Sequence, residues 1–330
     1  MIHQWDVSSE TISSQTIASL SEQRFPGLVS DGLRHGKNWL GTRENNVVTL
    51  WSSKGKYQSG VGLDVVAPGG RVTAFDMSAD GELVAIATAG VGDKSEIVII
   101  DSSTRRPIKR FKLPRNEWAA EIRFHPDRQS VALNERGKRI SIWDISVETP
   151  LQKVAFTLPS QRLSTFDFSS DGRYLIVGTS RGQLVRWDLS GKELNSVKHE
   201  EILPPSEISG EGIVAVRSVP NSPLFVASNM WAADLWDVQS MRRITSFPGT
   251  AISVSPDGRW IAAAGGNKLK KETQVLEVST RKLVRRLRGG HGIAVMSVVW
   301  SPDSQFLFTA GANGSIRRWD TKTGQVVLEP

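Results

Sequence analysis

Ser297-Val298-Val299-Trp300-Ser301-Pro302-Asp303-Ser304-Gln305-Phe306-Leu307-Phe308, followed after a polar turn by Trp319-Asp320, decides how the chain is read. The first four residues form an alternating strand. Ser301-Pro302-Asp303-Ser304 is a tight turn, in which Pro presets φ and Asp hydrogen-bonds back to its own backbone. A more apolar run follows, then the polar turn, then a strand that ends in Trp-Asp. Short period-two runs bounded by turn residues read as β-strands.

The same pattern recurs along the chain. Trp-Asp stands at Trp5-Asp6, Trp143-Asp144, Trp187-Asp188, Trp236-Asp237 and Trp319-Asp320, with weaker copies at Trp51-Ser52, Ile100-Asp101 and Leu276-Glu277. The spacing is 40 to 49 residues throughout, too long for a helical repeat of about 34 residues. A second series keeps step with it: Ser78-Ala79-Asp80-Gly81, His125-Pro126-Asp127-Arg128, Ser169-Ser170-Asp171-Gly172 and Ser255-Pro256-Asp257-Gly258. In the fifth repeat the turn degenerates to Pro220-Asn221-Ser222-Pro223. Four antiparallel strands per repeat of this length make one blade of a β-propeller.

These in-phase motifs resemble the WD40-repeat β-propellers over nearly the whole chain, in a style similar to prokaryotic members. The resemblance implies an all-β, seven-bladed propeller of four-stranded antiparallel blades in a single domain, 1–330. The expected blades are about 21–67, 68–113, 114–158, 159–196, 197–246, 247–287 and 288–330. It also implies closure by the N-terminal segment 1–20, with residues 11–20 as the outer strand of the last blade. Gln325-Val326-Val327-Leu328 competes for that position from the C-terminal side. In the family a hydrogen-bonded tetrad often braces a blade. Only the last blade approaches it, with His291, Thr309, Asn313 and Trp319, and Asn313 replaces the usual Asp. A structural brace is the first reading of His291, and a functional role the second.

Composition narrows the chemistry. The 330 residues carry a formal charge of +7 and no cysteine. That excludes disulfides, Cys-ligated zinc and thiol nucleophiles. Eleven Trp against two Tyr fits one Trp-bearing motif copied several times. No run approaches the roughly 20 apolar residues of a membrane helix, and the first residues lack the pattern of a signal peptide. The expectation is a soluble cytoplasmic chain, monomeric by default, without membrane contact. The five histidines are dispersed, no metal-ligand spacing is present, and no nucleophile-elbow, phosphate-loop or zincin motif occurs. No catalytic residue, metal or cofactor is predicted.

Binding is then the expected role, through loops on a rigid scaffold. On one face the second-to-third-strand turns and the loops between blades collect Arg43, Lys94, Arg115, Arg136, Lys138, Arg162, Arg181, Lys268 and Lys270. Trp118 and Trp231 lie outside the motif position near that face, as surface anchors or as caps on neighbouring blades. Residues 268–288 hold eight Lys/Arg against two Glu, a solvated edge or an acidic-partner patch. The leading expectation is a protein–protein interaction scaffold, or sensor and docking domain, that binds an acidic segment or peptide. The alternatives are a nucleic-acid-binding propeller using the basic face, and a hydrolase or lyase with a central-channel site.

Overall fold

The computed structural model describes residues 33–36, 39–44, 47–52, 60–63, 71–90, 95–158, 162–190, 199–202, 212–265, 269–288, 294–312 and 316–328. They form seven four-stranded antiparallel sheets, spanning 33–63, 71–112, 119–157, 163–202, 215–248, 251–287 and 295–328. In each sheet the strand order follows the chain, so every blade is a local meander. The first strands are Leu33–Gly36, Arg71–Met77, Ala119–Phe124, Leu163–Phe168, Ala215–Ser218, Ala251–Val254 and Val295–Trp300. Each lies against the first strand of the next blade, and Leu33–Gly36 touches both Arg71–Met77 and Val295–Trp300. The ring is therefore closed.

The turns form for the reason that the sequence suggests. Ser78 Oγ donates to Asp80 Oδ1 at 2.6 Å, while the backbone N–H groups of Glu82 and Leu83 donate to Asp80 Oδ1 and Ser78 Oγ. Ser169 with Asp171, Ser255 with Asp257 and Ser301 with Asp303 repeat this pair at 2.5 Å. The motif Asp closes the other turn of the blade: Asp101 Oδ1 accepts the N–H groups of Ser103 and Thr104, and Asp144 Oδ1 those of Ser146 and its hydroxyl. The Thr104 N–H, with the hydroxyls of Ser103 and Thr104, holds the Asp101 carboxyl down at about 2. The Ser146 hydroxyl and Lys153 do the same for Asp144, also about 2.

Apolar cores lie between the blades, not within a single sheet. One joins Ile97, Ile99, Phe111, Ile122, Leu133 and Trp143 from the second and third blades. Another joins Ile140, Phe156, Phe166, Leu175 and Trp187 from the third and fourth. Phe111 lies on Trp143 with ring centroids 4.9 Å apart, and Phe156 stacks on Trp187 at 4.5 Å. Burying such side chains is worth roughly 1.5–3 kcal/mol each, the main stabilising term in a sheet stack.

Polar links cross the same joints. Asp76 Oδ2 accepts the N–H of Phe124 at 2.8 Å, Glu121 Oε2 that of Phe166 at 3.2 Å, and Asp167 Oδ2 that of Ser218 at 2.9 Å. Asp76, Arg123, Asp167 and Arg217 occupy one register position on four successive inner strands, each two residues before the first turn. Acid and base therefore alternate around that part of the ring.

Two expectations are corrected or completed. The outer position of the last sheet is filled by Val326–Leu328, paired to Arg318 and Trp319. Residues 1–20 lie outside the described residues. The C-terminal strand needs only the short turn after Asp320 to reach this edge. In the expected tetrad, Trp319 Nε1 donates to Thr309 Oγ1 at 2.8 Å, both buried. His291 and Asn313 lie outside the described residues.

The third blade carries a brace that the sequence did not reveal. Trp143 Nε1 donates to Ser141 Oγ at 2.9 Å, and Ser141 donates to the buried carboxylate of Glu135. Arg139 Nε donates to the other oxygen of Glu135 at 2.7 Å. Ser141, Arg139 and Trp143 share the third strand, and Glu135 ends the second.

Candidate functional face

Antiparallel order within each sheet places the second-to-third-strand turns and the loops between blades on the same side of the ring. The Ser-x-Asp-Gly and Trp-Asp turns occupy the opposite side. The two sides differ in charge. The opposite side carries the turn-locked carboxylates, among them Asp80, Asp101, Asp144 and Asp188. On the first side, among the described residues, the turns carry one carboxylate, Glu117.

The expected cations of this side divide into two groups. Arg115, Arg136, Lys138, Arg162 and Arg181 are exposed. Arg43 and Lys270 are placed by their backbone on Trp39–Glu44 and Leu269–Glu277, while Lys94 and Lys268 lie outside the described residues. Trp118 is half-buried, with the guanidinium of Arg71 5.7 Å from its ring centroid. Trp231 is 43% exposed. The cap and anchor readings of the two tryptophans thus separate: Trp118 bridges the second and third blades, and Trp231 presents its ring to solvent.

Backbone contacts join the exposed cations into one arc. Arg136 Nη1 donates to the carbonyl of Asn116 at 3.1 Å, which ties it to the loop of Arg115 and Trp118. Gly137 has φ +73°, and a Cβ there would stand 2.9 Å from Leu163 O and 3.6 Å from Arg162 Nε. The left-handed φ and the approach of Leu163 O call for glycine here, and the Arg162 side chain lies in van der Waals contact with this turn, between Arg136 and Lys138. Leu163 N donates to Gly137 O at 2.8 Å, and Ser180 N to Arg162 O at 2.9 Å, so the fourth blade's turn, with Arg181, continues the row. Gly212 then packs onto the Ser180 backbone, where a Cβ would meet Ser180 Cα at 2.9 Å, and Ile213 N donates to Thr179 O.

The arc ends on apolar side chains. Val214 N donates to Ser228 O at 2.8 Å, and Met230 and Trp231 form the turn after Ser228. The Asn229 carboxamide oxygen fixes that turn by accepting the N–H groups of Trp231 and Ala232 at 2.8 and 3.0 Å. Val214 and Met230 are 40% and 53% exposed. Arg71 and Val214 escaped the sequence reading because each is the first residue of a strand or the one before it. Nothing local distinguishes them from strand residues that point into a joint.

Other features bear on chemistry. Among the described residues there is no group of three or more His, Asp and Glu placed to hold a metal ion. No helix there is long and apolar enough to cross a membrane. His125 serves the fold, with Nε2 2.9 Å from the carbonyl oxygen of Gly172 and its ring edge-on to Phe168 at 4.9 Å.

Comparison with known proteins agrees with the architecture. The family model described as "WD domain, G-beta repeat" matches residues 281–320. Drosophila melanogaster Protein LST8 homolog is 21% identical over 253 residues, covering 70% of this chain and 78% of that protein. Drosophila melanogaster Protein groucho is 22% identical over 255 residues, covering 73% of this chain but 32% of its own length. Mus musculus Target of rapamycin complex subunit LST8 is 22% identical over 218 residues, covering 63% of this chain and 64% of that subunit. The chain therefore spans about a third of groucho and just under two thirds of the mouse subunit. Among solved structures, a chain of the Mitotic Checkpoint Complex superposes with a TM-score of 0.71 at 16% identity, over 90% of this chain and 89% of that one. The Cps50 (Swd1) β-propeller domain of Myceliophteria thermophila superposes at 0.68 and 16% identity, over 88% and 96%.

Proposed function

We propose that this chain, a member of the WD40-repeat β-propeller family, is a non-catalytic platform that docks a partner protein through an acidic segment lying on the cationic face. The observation that carries the reading is the continuous arc from Arg115 through Arg136, Lys138 and Arg162 to Arg181, with Glu117 as its one carboxylate among the described residues. The role of the fold is geometric. Seven mutually packed sheets hold the turns still, so a partner orders few groups of this protein on binding, which preserves affinity. The cations supply long-range attraction and orientation. Relatives whose names describe them as parts of complexes, the LST8 subunit and the checkpoint-complex chain, are in keeping with a docking role.

Affinity capture tests the reading, with wild type compared against Trp118→Ala and Arg181→Glu. The expected result is a protein retained by wild type, released by rising salt, and lost or weakened at least tenfold with Arg181→Glu. Equal retention by all three forms would overturn it. The cationic face also favours a second reading, binding of nucleic acid by phosphate contacts and base stacking. Retention of RNA or DNA at about 50 mM salt, with a steep salt slope, would establish that reading instead.

A further inference from the structure

The arc has a direction. Its cations stand on the second to fourth blades, and its far end on the fifth is apolar: Val214, Met230 and Trp231, exposed by 40%, 53% and 43%. The transition is abrupt. Gly212, two residues before Val214, packs on the backbone of Ser180, the neighbour of Arg181, and the turn of Asn229, Met230 and Trp231 holds no ionisable group. Thr250 of the sixth blade donates through Oγ1 to Met230 O at 3.2 Å, and Ser228 Oγ donates to Thr250 O at 2.7 Å, so the apolar turn is fixed from both sides. A Trp and a Met on a rigid, uncharged turn beside a field of cations are the two halves of a peptide-docking surface.

We infer that the docked segment is an extended peptide of fixed polarity, with acidic residues over Arg136, Lys138, Arg162 and Arg181 and one or two large apolar residues over Val214, Met230 and Trp231. This deepens the docking role proposed above and rests on it. The two halves act differently. Charge attraction in exposed positions is screened by salt and sets encounter and register. Desolvation of a tryptophan against an aliphatic or aromatic partner side chain is insensitive to moderate salt and slows dissociation. An acidic segment without the apolar end meets only the screened half. An apolar segment alone meets too small a patch, three side chains, to be retained.

A random peptide library displayed on phage and selected on the folded chain tests this. Arg162→Glu/Arg181→Glu, Met230→Ser/Trp231→Ala and, as a control on the opposite side of the ring, Arg106→Glu are compared with wild type. All forms are checked for unchanged thermal unfolding. Selected sequences are expected to carry an acidic cluster with an apolar residue consistently at one end, and a synthetic copy of the best one to bind the control like wild type. Met230→Ser/Trp231→Ala should weaken it tenfold or more while leaving its salt dependence, whereas Arg162→Glu/Arg181→Glu should weaken it and flatten the salt dependence. Acidic peptides with no apolar preference, apolar ones with no acidic preference, no selection at all, or displacement by RNA would each overturn the inference. A partner captured in an Arg181-dependent manner, whose contact segment lacks an apolar end, would overturn the inference and leave the docking role standing. Absence of both an Arg181-dependent partner and any selected peptide would remove the two together.

Discussion

The Asp167 carboxylate accepts the backbone N–H of Ser218 at 2.9 Å, and so ties the inner strand of the fourth blade to that of the fifth. Loss of hydration pushes the Asp167 carboxyl up from its ordinary value, against the pull of Arg123, the Ser218 N–H and Arg217. The alternating row of Asp76, Arg123, Asp167 and Arg217 accounts for that pull. Within that row each carboxylate has a guanidinium on a neighbouring strand, and Arg123 pairs as well with Glu121 on its own strand.

Asp167→Ala leaves the Ser218 N–H without its acceptor and should cost about 1–3 kcal/mol, read from urea unfolding. Asp167→Asn keeps an acceptor oxygen and should cost less. A carboxyl raised by folding stabilises fully below its unfolded value, and that contribution is lost as pH rises through the folded value. The deficit of Asp167→Asn relative to wild type should therefore be larger near about pH 4 than at neutrality. A deficit that grows toward neutral pH would contradict the assignment.

The motif carboxylates act with the opposite sign. Asp101 and Asp144, each held at about 2, stabilise above their ordinary value of 3.8, and that contribution is lost as pH falls toward about 2. Asp101→Asn with Asp144→Asn should flatten the acid limb of the stability curve between those values. An unchanged limb in a pH series of thermal melts would show that these turns do not contribute to acid unfolding.

Ser141 stands between Trp143 and Glu135. Ser141→Ala strands a buried indole N–H and removes one partner of a buried carboxylate, and should destabilise by about 2–3 kcal/mol. Thr309→Ala, which removes the acceptor of the Trp319 indole N–H, should cost about 1–3 kcal/mol. A cost of Ser141→Ala below about 0.5 kcal/mol in calorimetry would mean that the Trp143–Ser141–Glu135 chain does not brace the blade.

Gly137→Ala should couple stability to binding. It forces a left-handed φ on alanine and drives a Cβ to 2.9 Å from Leu163 O. The expected cost is about 1–3 kcal/mol, together with weaker, less salt-sensitive partner capture because relief of the Leu163 O contact must shift the backbone that carries Arg162. Binding that is unchanged in a folded Gly137→Ala chain would remove Arg162 from the arc.

Much of the fold is legible in the residues because it is built from local interactions. Ser169 finds Asp171 two residues away, and Asp144 finds Ser146 two residues away, so turn and strand follow from short-range hydrogen bonding repeated at a near-constant period. The positions of Arg136, Arg162 and Arg181 on one side of the ring follow from the same alternation. What escaped notice depends on neighbours far along the chain. Glu135 is one more strand-end glutamate until Ser141 and Arg139 close on it. Val214 is one more apolar residue until its N–H bonds to Ser228 O, next to the turn of Met230 and Trp231.

The repeating four-stranded blade and its turn chemistry are readable from the residues alone, because each is set within a few residues by sterics and local hydrogen bonds. The pairing of Val326–Leu328 in the last sheet, the Glu135 brace of the third blade, and the exposed Val214, Met230 and Trp231 past Arg181 emerge only once the chain has folded. These depend on which blade lies against which once the ring has closed. That is a matter of non-local packing and loop closure, to which no window of the sequence is sensitive.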